Sequence, residues 1–121
     1  MNVKVVGIPG SLREGSFNRG ILRAAIELAP AGMEIQMFTG LGDIPPYNAD
    51  VDDKGNPEPV QALKTAIREA DAMLIATPEY NYGVPGVLKN AIDWASRPSG
   101  QCVLNRKPAA LMGCSPGLGG T

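Results

Sequence analysis

Residues 7–19 of the chain read GIPGSLREGSFNR, a stretch of small and polar residues between two segments with regular hydrophobic patterns. The preceding residues 3–6, VKVV, are short and rich in β-branched valine, which predicts a buried strand. In the following residues 21–29, ILRAAIELA, apolar side chains recur at helical spacing. The stretch is therefore predicted to be the turn that leads from a first strand into a first helix.

This turn has the features of an anion-binding site. Small residues let backbone N–H groups crowd together, and Ser16 or Asn18 can cap the helix that follows. A helix N-terminus carries positive potential and unpaired N–H donors. Arg13 adds a guanidinium suited to phosphate oxygens, and Ser11 adds a hydroxyl. We predict a phosphate-binding loop, with a polar turn that binds nothing as the alternative that spacing alone leaves open.

Two common phosphate motifs are absent from the sequence. It has no Gly-x-Gly-x-x-Gly at this turn and no Gly-Lys-Ser/Thr ending of a nucleoside triphosphate loop. Their absence argues against a dinucleotide-binding Rossmann site and against a nucleotide triphosphatase.

Composition narrows the function classes further. The 121 residues suit one domain, and a net charge of −1 without a basic run argues against a nucleic-acid partner. No apolar stretch approaches membrane-spanning length, and we expect a cytoplasmic, reducing compartment. Histidine is absent, which excludes Ser-His-Asp and Cys-His catalysis and histidine metal sites. The two cysteines lack metal-type spacing, and we expect Cys114 to be a buried thiol.

The rest of the chain alternates between strand and helix patterns. Residues 33–38 alternate as a half-exposed strand, and the apolar runs at 72–77 and 108–114 predict buried strands. Asn56 is predicted to be the N-cap of a second helix, with Pro57 in its first helical position. A third helix is predicted to begin near Pro85.

Between the second strand and the second helix, residues 40–57 are rich in Gly, Pro, Asn and Asp and predict a long loop.

The order β-α-β-α-β-α-β predicts a parallel sheet with helices on both faces. The loops at 7–19, 78–86 and 115–121 all follow strands, so all three are predicted to lie at one sheet edge, where such folds bind ligands.

The same three loops resemble the signatures of the NAD(P)H-dependent FMN reductase family. The resemblance is carried by Gly10-Ser11-Leu12-Arg13-x-x-Ser16-x-Asn18, by TPEYN at 77–81 with PGVLKNAIDW at 85–94, and by Ser115-x-Gly117-x-x-Gly120. It implies a flavodoxin-like, three-layer α/β/α fold with parallel strand order 2-1-3-4-5 and FMN beside the first and third strands.

The resemblance also assigns contacts to FMN, in three groups. The phosphate would be held by Ser11, Arg13, Ser16 and Asn18. The ribityl chain and the isoalloxazine ring would be lined by Pro78, Glu79, Tyr80 and Asn81. The other side of the ring would be approached by Ser115 and Gly117. No side chain is assigned as catalytic, because the flavin carries the chemistry. The alternatives are a punctuating proline, a solvated Glu79, surface or interface tyrosines, and Trp94 as a packing residue.

The implied function is an FMN-dependent oxidoreductase with NADPH or NADH as co-substrate. Its acceptor would be a small molecule, namely a quinone, free flavin, an azo compound or a metal oxyanion, and its kinetics would be ping-pong. The resemblance also implies a homodimer or homotetramer. Two alternatives stay open: a flavodoxin-type electron carrier and an inactive fragment of a reductase.

In the family pattern, a further helix, a fifth strand and a last helix follow the third loop, whereas this sequence ends at Thr121. Without the fifth strand, the apolar edge at residues 109–112 would be bare and prone to aggregation. We therefore expect residues 1–121 to form a single FMN-binding domain that is incomplete at its C-terminus, or whose missing part is supplied by a partner chain.

Overall fold

The computed structural model describes residues 2–116. The strands are β1 (Val3–Pro9), β2 (Met33–Met37), β3 (Ala72–Ala76) and β4 (Ala109–Met112). The α-helices are α1 (Phe17–Leu28), α2 (Ala49–Asp53), α3 (Glu58–Glu69) and α4 (Gly86–Ala95). The longest of these helices have 12 residues, and none in the described part of the chain could cross a membrane.

The strands form one parallel sheet in the order β2-β1-β3-β4. In its register, Val6 lies beside Met73 and Ile75 lies beside Leu111. This arrangement confirms the flavodoxin-like α/β fold and the first four positions of the expected order. Among residues 2–116 no strand takes the fifth position.

Helices cover the two faces of the sheet unequally. On one face, buried side chains of β1 and β3 join apolar residues of α3 and α4 in the main core, which includes Val6, Ile8, Met73, Ile75, Leu63 and Trp94. Gly7 points to the opposite face, where α1 packs through Leu22, which is fully buried. A Cβ atom at Gly7 would lie 2.8 Å from Leu22 Cδ1, so this helix reaches the sheet only because the strand has glycine there.

The helix starts differ from the predicted ones by one turn or less. Ser16 is the N-cap of α1, since its Oγ accepts a hydrogen bond from the backbone N–H of Arg19, and the helix begins earlier than residue 21. At α3 the prediction is wrong by one residue, because Pro57 occupies the N-cap position and Glu58 begins the helix. The Asn56 side chain instead donates to Asp52 Oδ1 at 2.7 Å, which removes it from the capping role.

The prediction of an unstructured loop at residues 40–57 is wrong. The segment contains a 3₁₀ turn at Leu41–Asp43 and the short helix α2, whose N-cap Asn48 accepts a hydrogen bond from the backbone N–H of Asp50 at 2.9 Å. Bonds to α4 hold it: Asn90 Oδ1 accepts from the Tyr47 N–H at 2.8 Å, and the Trp94 indole donates to the Pro45 carbonyl at 2.8 Å.

The predictions of burial at the last strand are also wrong. Ala109, Ala110 and Leu111 are exposed, with Leu111 73% exposed, and Cys114 is only half-buried. Within the described residues β4 is the edge of the sheet and pairs only with β3. A continuous apolar run indicates a strand whose side chains would be stable when buried, but it does not show that another element covers them.

The contact between Gly7 and Leu22 gives a prediction about stability. Gly7→Ala should lower the free energy of unfolding by about 1–3 kcal/mol, because the added methyl has no room beside a fully buried leucine. At Gly20, inside α1, an added Cβ would meet no other atom within 4 Å, so Gly20→Ala should raise stability by about 0.5–1 kcal/mol. Urea unfolding of both variants measures the two effects, and a Gly7→Ala protein as stable as the wild type would contradict the packing.

Candidate functional site

Loops from three strands meet at Thr77, which directly follows β3. The backbone N–H of Gly10 donates to the Ala76 carbonyl at 2.8 Å, and the N–H of Thr77 donates to the Met112 carbonyl at 2.9 Å. A Cβ atom at Gly10 would lie 2.9 Å from Thr77 Oγ1, and one at Gly113 would lie 3.1 Å from the Thr77 carbonyl oxygen. The glycines therefore let the loops after β1 and β4 close onto the loop after β3.

A cleft of about 260 Å³ lies between these loops. Its lining contains eight of the ten residues that the resemblance assigns to FMN: Ser11, Arg13, Ser16, Asn18, Pro78, Glu79, Tyr80 and Ser115. Asn81 is exposed and lies outside the lining, and Gly117 falls outside the described residues. The lining also includes Phe17, Thr77, Cys114 and Pro116, to which the sequence patterns gave no ligand role.

One end of the cleft is rich in hydrogen-bond donors. Residues 10–18 run from β1 to the N-terminus of α1, and their internal bonds use few of the backbone N–H groups. Within residues 2–116, six backbone N–H groups of this loop have no acceptor: those of Ser11, Leu12, Glu14, Gly15, Phe17 and Asn18. Of these six residues, Ser11, Phe17 and Asn18 line the cleft. Together with the positive end of α1, these donors make the loop suited to an anion.

Three side chains add to this donor-rich end. Ser11 and Ser16 are buried, and each Oγ accepts a backbone N–H at 3.3 Å, from Arg13 and Arg19 respectively. Because a hydroxyl that accepts still carries its own hydrogen, both serines can donate to a ligand. The exposed Arg13 side chain lines the cleft and supplies a positive charge.

Asn18 joins two of the loops. Its side chain is 3% exposed, its Nδ2 donates to the Cys114 carbonyl at 3.2 Å, and its Oδ1 accepts from the Cys114 N–H at 3.0 Å. One amide hydrogen remains for another acceptor, so the predicted phosphate contact stays a prediction. The bridge was missed from the sequence, because no local pattern links residues 96 positions apart.

The loop after β3 forms a tight hairpin. Tyr80 and Gly83 exchange two backbone hydrogen bonds of 3.0 and 2.9 Å, and the residues between them, Asn81 and Tyr82, have φ angles of 54° and 61°. These angles are those of a type I′ turn, which favours Asn followed by Gly. Here tyrosine follows asparagine in place of glycine, so the turn type could not be recognised from the sequence. Tyr80 lines the cleft, whereas Tyr82 is 95% exposed.

Trp94 lies behind the site as a packing residue, which confirms that alternative. The side chain is fully buried, and its ring meets the Tyr47 ring edge-on at 4.8 Å between centroids. Burial and the hydrogen bond that its hydroxyl donates to Asp52 raise the pKa of Tyr47. The cluster fixes the segment before α2 against α4.

The parallel sheet and its strand order are those of a flavodoxin-like α/β fold. A family model described as NADPH-dependent FMN reductase matches residues 3–121, and the chain belongs to this family.

Characterised relatives agree with this assignment. The chain is 53% identical over 120 residues to an NAD(P)H-dependent FMN reductase of Pseudomonas aeruginosa and 49% identical over 117 residues to the quinone reductase of Escherichia coli K12. These alignments cover 99% and 96% of this chain but 64% and 62% of the relatives, so the chain spans less than two thirds of their length.

A solved structure shows the same relationship. The flavoenzyme FerB, an NAD(P)H:(acceptor) oxidoreductase from Paracoccus denitrificans, superposes with a TM-score of 0.88 at 44% sequence identity. The superposition covers 96% of this chain and 63% of that one.

The type I′ turn yields a prediction about Tyr82. A left-handed backbone conformation is unfavourable for a bulky residue, so Tyr82→Gly should raise the free energy of unfolding by about 1 kcal/mol. Asn81→Gly should give a smaller gain, because asparagine tolerates this conformation. Thermal unfolding of the two variants compares them. A loss of stability in Tyr82→Gly would show that the tyrosine ring makes stabilising contacts that its exposure does not reveal.

Proposed function

We propose that the cleft binds FMN, with the phosphate held by the loop at residues 10–18. The observation that carries this proposal is the set of six backbone N–H groups in residues 11–18 without an acceptor in the described residues, three of them in residues that line the cleft, beside the hydroxyls of Ser11 and Ser16 and the charge of Arg13. A phosphate offers several acceptor oxygens and a negative charge, which this set satisfies together. Membership in an FMN reductase family supports the same ligand.

The flavin ring would then lie toward the loops after β3 and β4. Pro78, Glu79, Tyr80 and Asn81 would line one side of the ribityl chain and ring, and Ser115 and Gly117 would approach the other. Support comes from the cleft lining, which includes Pro78, Glu79 and Tyr80 on the one side and Ser115 on the other. FMN held in this cleft would supply the hydride and electron transfer between NAD(P)H and an acceptor.

The proposed activity is NAD(P)H-dependent reduction of a small acceptor, with quinones as the first candidates. The name of the Escherichia coli relative, a quinone reductase, supports this choice. Free flavin, azo compounds and metal oxyanions are further candidate acceptors. The protein's part is to hold and orient FMN and to leave its reactive face open, which requires no histidine.

Steady-state kinetics test the activity. With FMN, NADPH or NADH, and a quinone, double-reciprocal plots at several quinone concentrations should give parallel lines, because the co-substrate leaves before the acceptor binds. Intersecting lines would contradict the proposed order of binding. A protein that binds FMN but does not oxidise NADPH or NADH would be an electron carrier instead.

Arg13 provides a sharper test of the phosphate contact. Arg13→Ala should weaken FMN binding by about 1.5–3 kcal/mol, because a charge-assisted hydrogen bond to the phosphate is lost. Arg23→Ala is the matched control, since Arg23 is an exposed arginine on α1 that does not line the cleft. Quenching of FMN fluorescence measures both affinities. Equal affinities of Arg13→Ala and the wild type would remove Arg13 from the site.

The remaining features of the proposal concern assembly and location. We propose that residues 1–121 belong to one FMN-binding domain of a cytoplasmic protein that assembles as a homodimer or homotetramer. Exposed apolar side chains support self-association: Tyr82, Val84 and Leu111 line a second cleft of about 340 Å³ beside β4. Light scattering of the purified protein measures the assembly, and a monomer at micromolar concentration would contradict it.

A further inference from the structure

The pairing of Asn18 with Cys114 has an unusual form. One side chain both donates to and accepts from the backbone of a single residue, as a neighbouring strand would, with bonds of 3.2 and 3.0 Å. Asn18 is 3% exposed, so water competes little for these bonds. Only a side chain with a donor and an acceptor on one planar group can make both bonds, which an amide does and a carboxylate does not.

The bridge joins the first turn of α1 to the loop after β4. Asn18 lies in the first turn of α1, which packs against the sheet, and it follows the N-cap Ser16. Cys114 lies two residues beyond β4, a strand of four mostly exposed residues that pairs on one side only in the described part of the chain. The bridge therefore ties the loop after β4 to a helix that packs against the sheet.

We propose that Asn18 is a positioning residue, which sets the spacing between the phosphate loop at residues 10–18 and the loop at residues 113–116 beside the ring. This inference rests on the proposed binding of FMN. Asn18 acts through the Cys114 backbone, so its effect reaches the ring end of the ligand as well as the phosphate end. A residue that only bound phosphate would affect the phosphate end alone.

Hydrogen exchange of the Cys114 amide tests the bridge without any flavin. In the wild-type protein this amide should be protected, and Asn18→Ala should accelerate its exchange by about tenfold or more. Asn18→Asp keeps an acceptor for the Cys114 N–H but sets a second acceptor oxygen against the Cys114 carbonyl, so it should protect the amide less than asparagine does. An unprotected Cys114 amide in the wild type would overturn the proposal, even if neither variant folds. Equal exchange in the wild type and a folded Asn18→Ala protein would do the same.

Flavin affinities then separate positioning from phosphate binding. Riboflavin lacks the phosphate, so Arg13→Ala should weaken FMN binding and leave riboflavin binding unchanged. Asn18→Ala should weaken both by a similar factor, about tenfold, because the ring loop is no longer held in place. A loss confined to FMN in Asn18→Ala would make Asn18 a phosphate ligand and overturn the proposal. Failure of the wild type to bind either flavin would contradict the proposed function, while amide exchange still decides whether the bridge exists.

Discussion

Parallel pairing of β1, β3 and β4 is the constraint on which the candidate site depends. Because the strands run in the same direction, their carboxyl ends share one edge of the sheet, and the loops that follow them become neighbours. Close approach at Thr77 then requires small residues on both sides, and Gly10 and Gly113 supply them. The cleft between the loops is a consequence of this arrangement and of the backbone space that the two glycines leave.

The two ends of the cleft differ in chemistry for reasons that lie in their backbones. At the start of α1 the chain presents N–H groups that the helix itself does not use, and only one of the first helical donors is capped, by Ser16. At the other end, Pro78, Glu79 and Tyr80 from the loop after β3 and Ser115 and Pro116 from the loop after β4 line the cleft. A ligand with a charged tail and a flat, largely uncharged ring matches both ends, which is why FMN is favoured over a free phosphate or a dinucleotide.

The four strands and the sheet edge at which their loops lie could be predicted from hydrophobic periodicity and from the alternation of strands and helices. The order of the first four positions in the sheet was implied only by the family resemblance, and the sequence left the cap of α1 open between Ser16 and Asn18. Features that depend on distant partners were missed. Residues 40–57 are ordered by bonds from Asn90 and Trp94, and Asn18 finds its partner at Cys114. Burial of β4 was predicted wrongly, because an apolar run records what a strand suits and not what covers it.

A crystal structure of the protein with FMN tests the central claim most directly. The phosphate is expected within hydrogen-bond distance of backbone N–H groups in residues 11–18, with the Arg13 guanidinium beside it and the ring between the loops after β3 and β4. A phosphate bound elsewhere, or an empty loop of unchanged conformation at saturating FMN, would contradict the account.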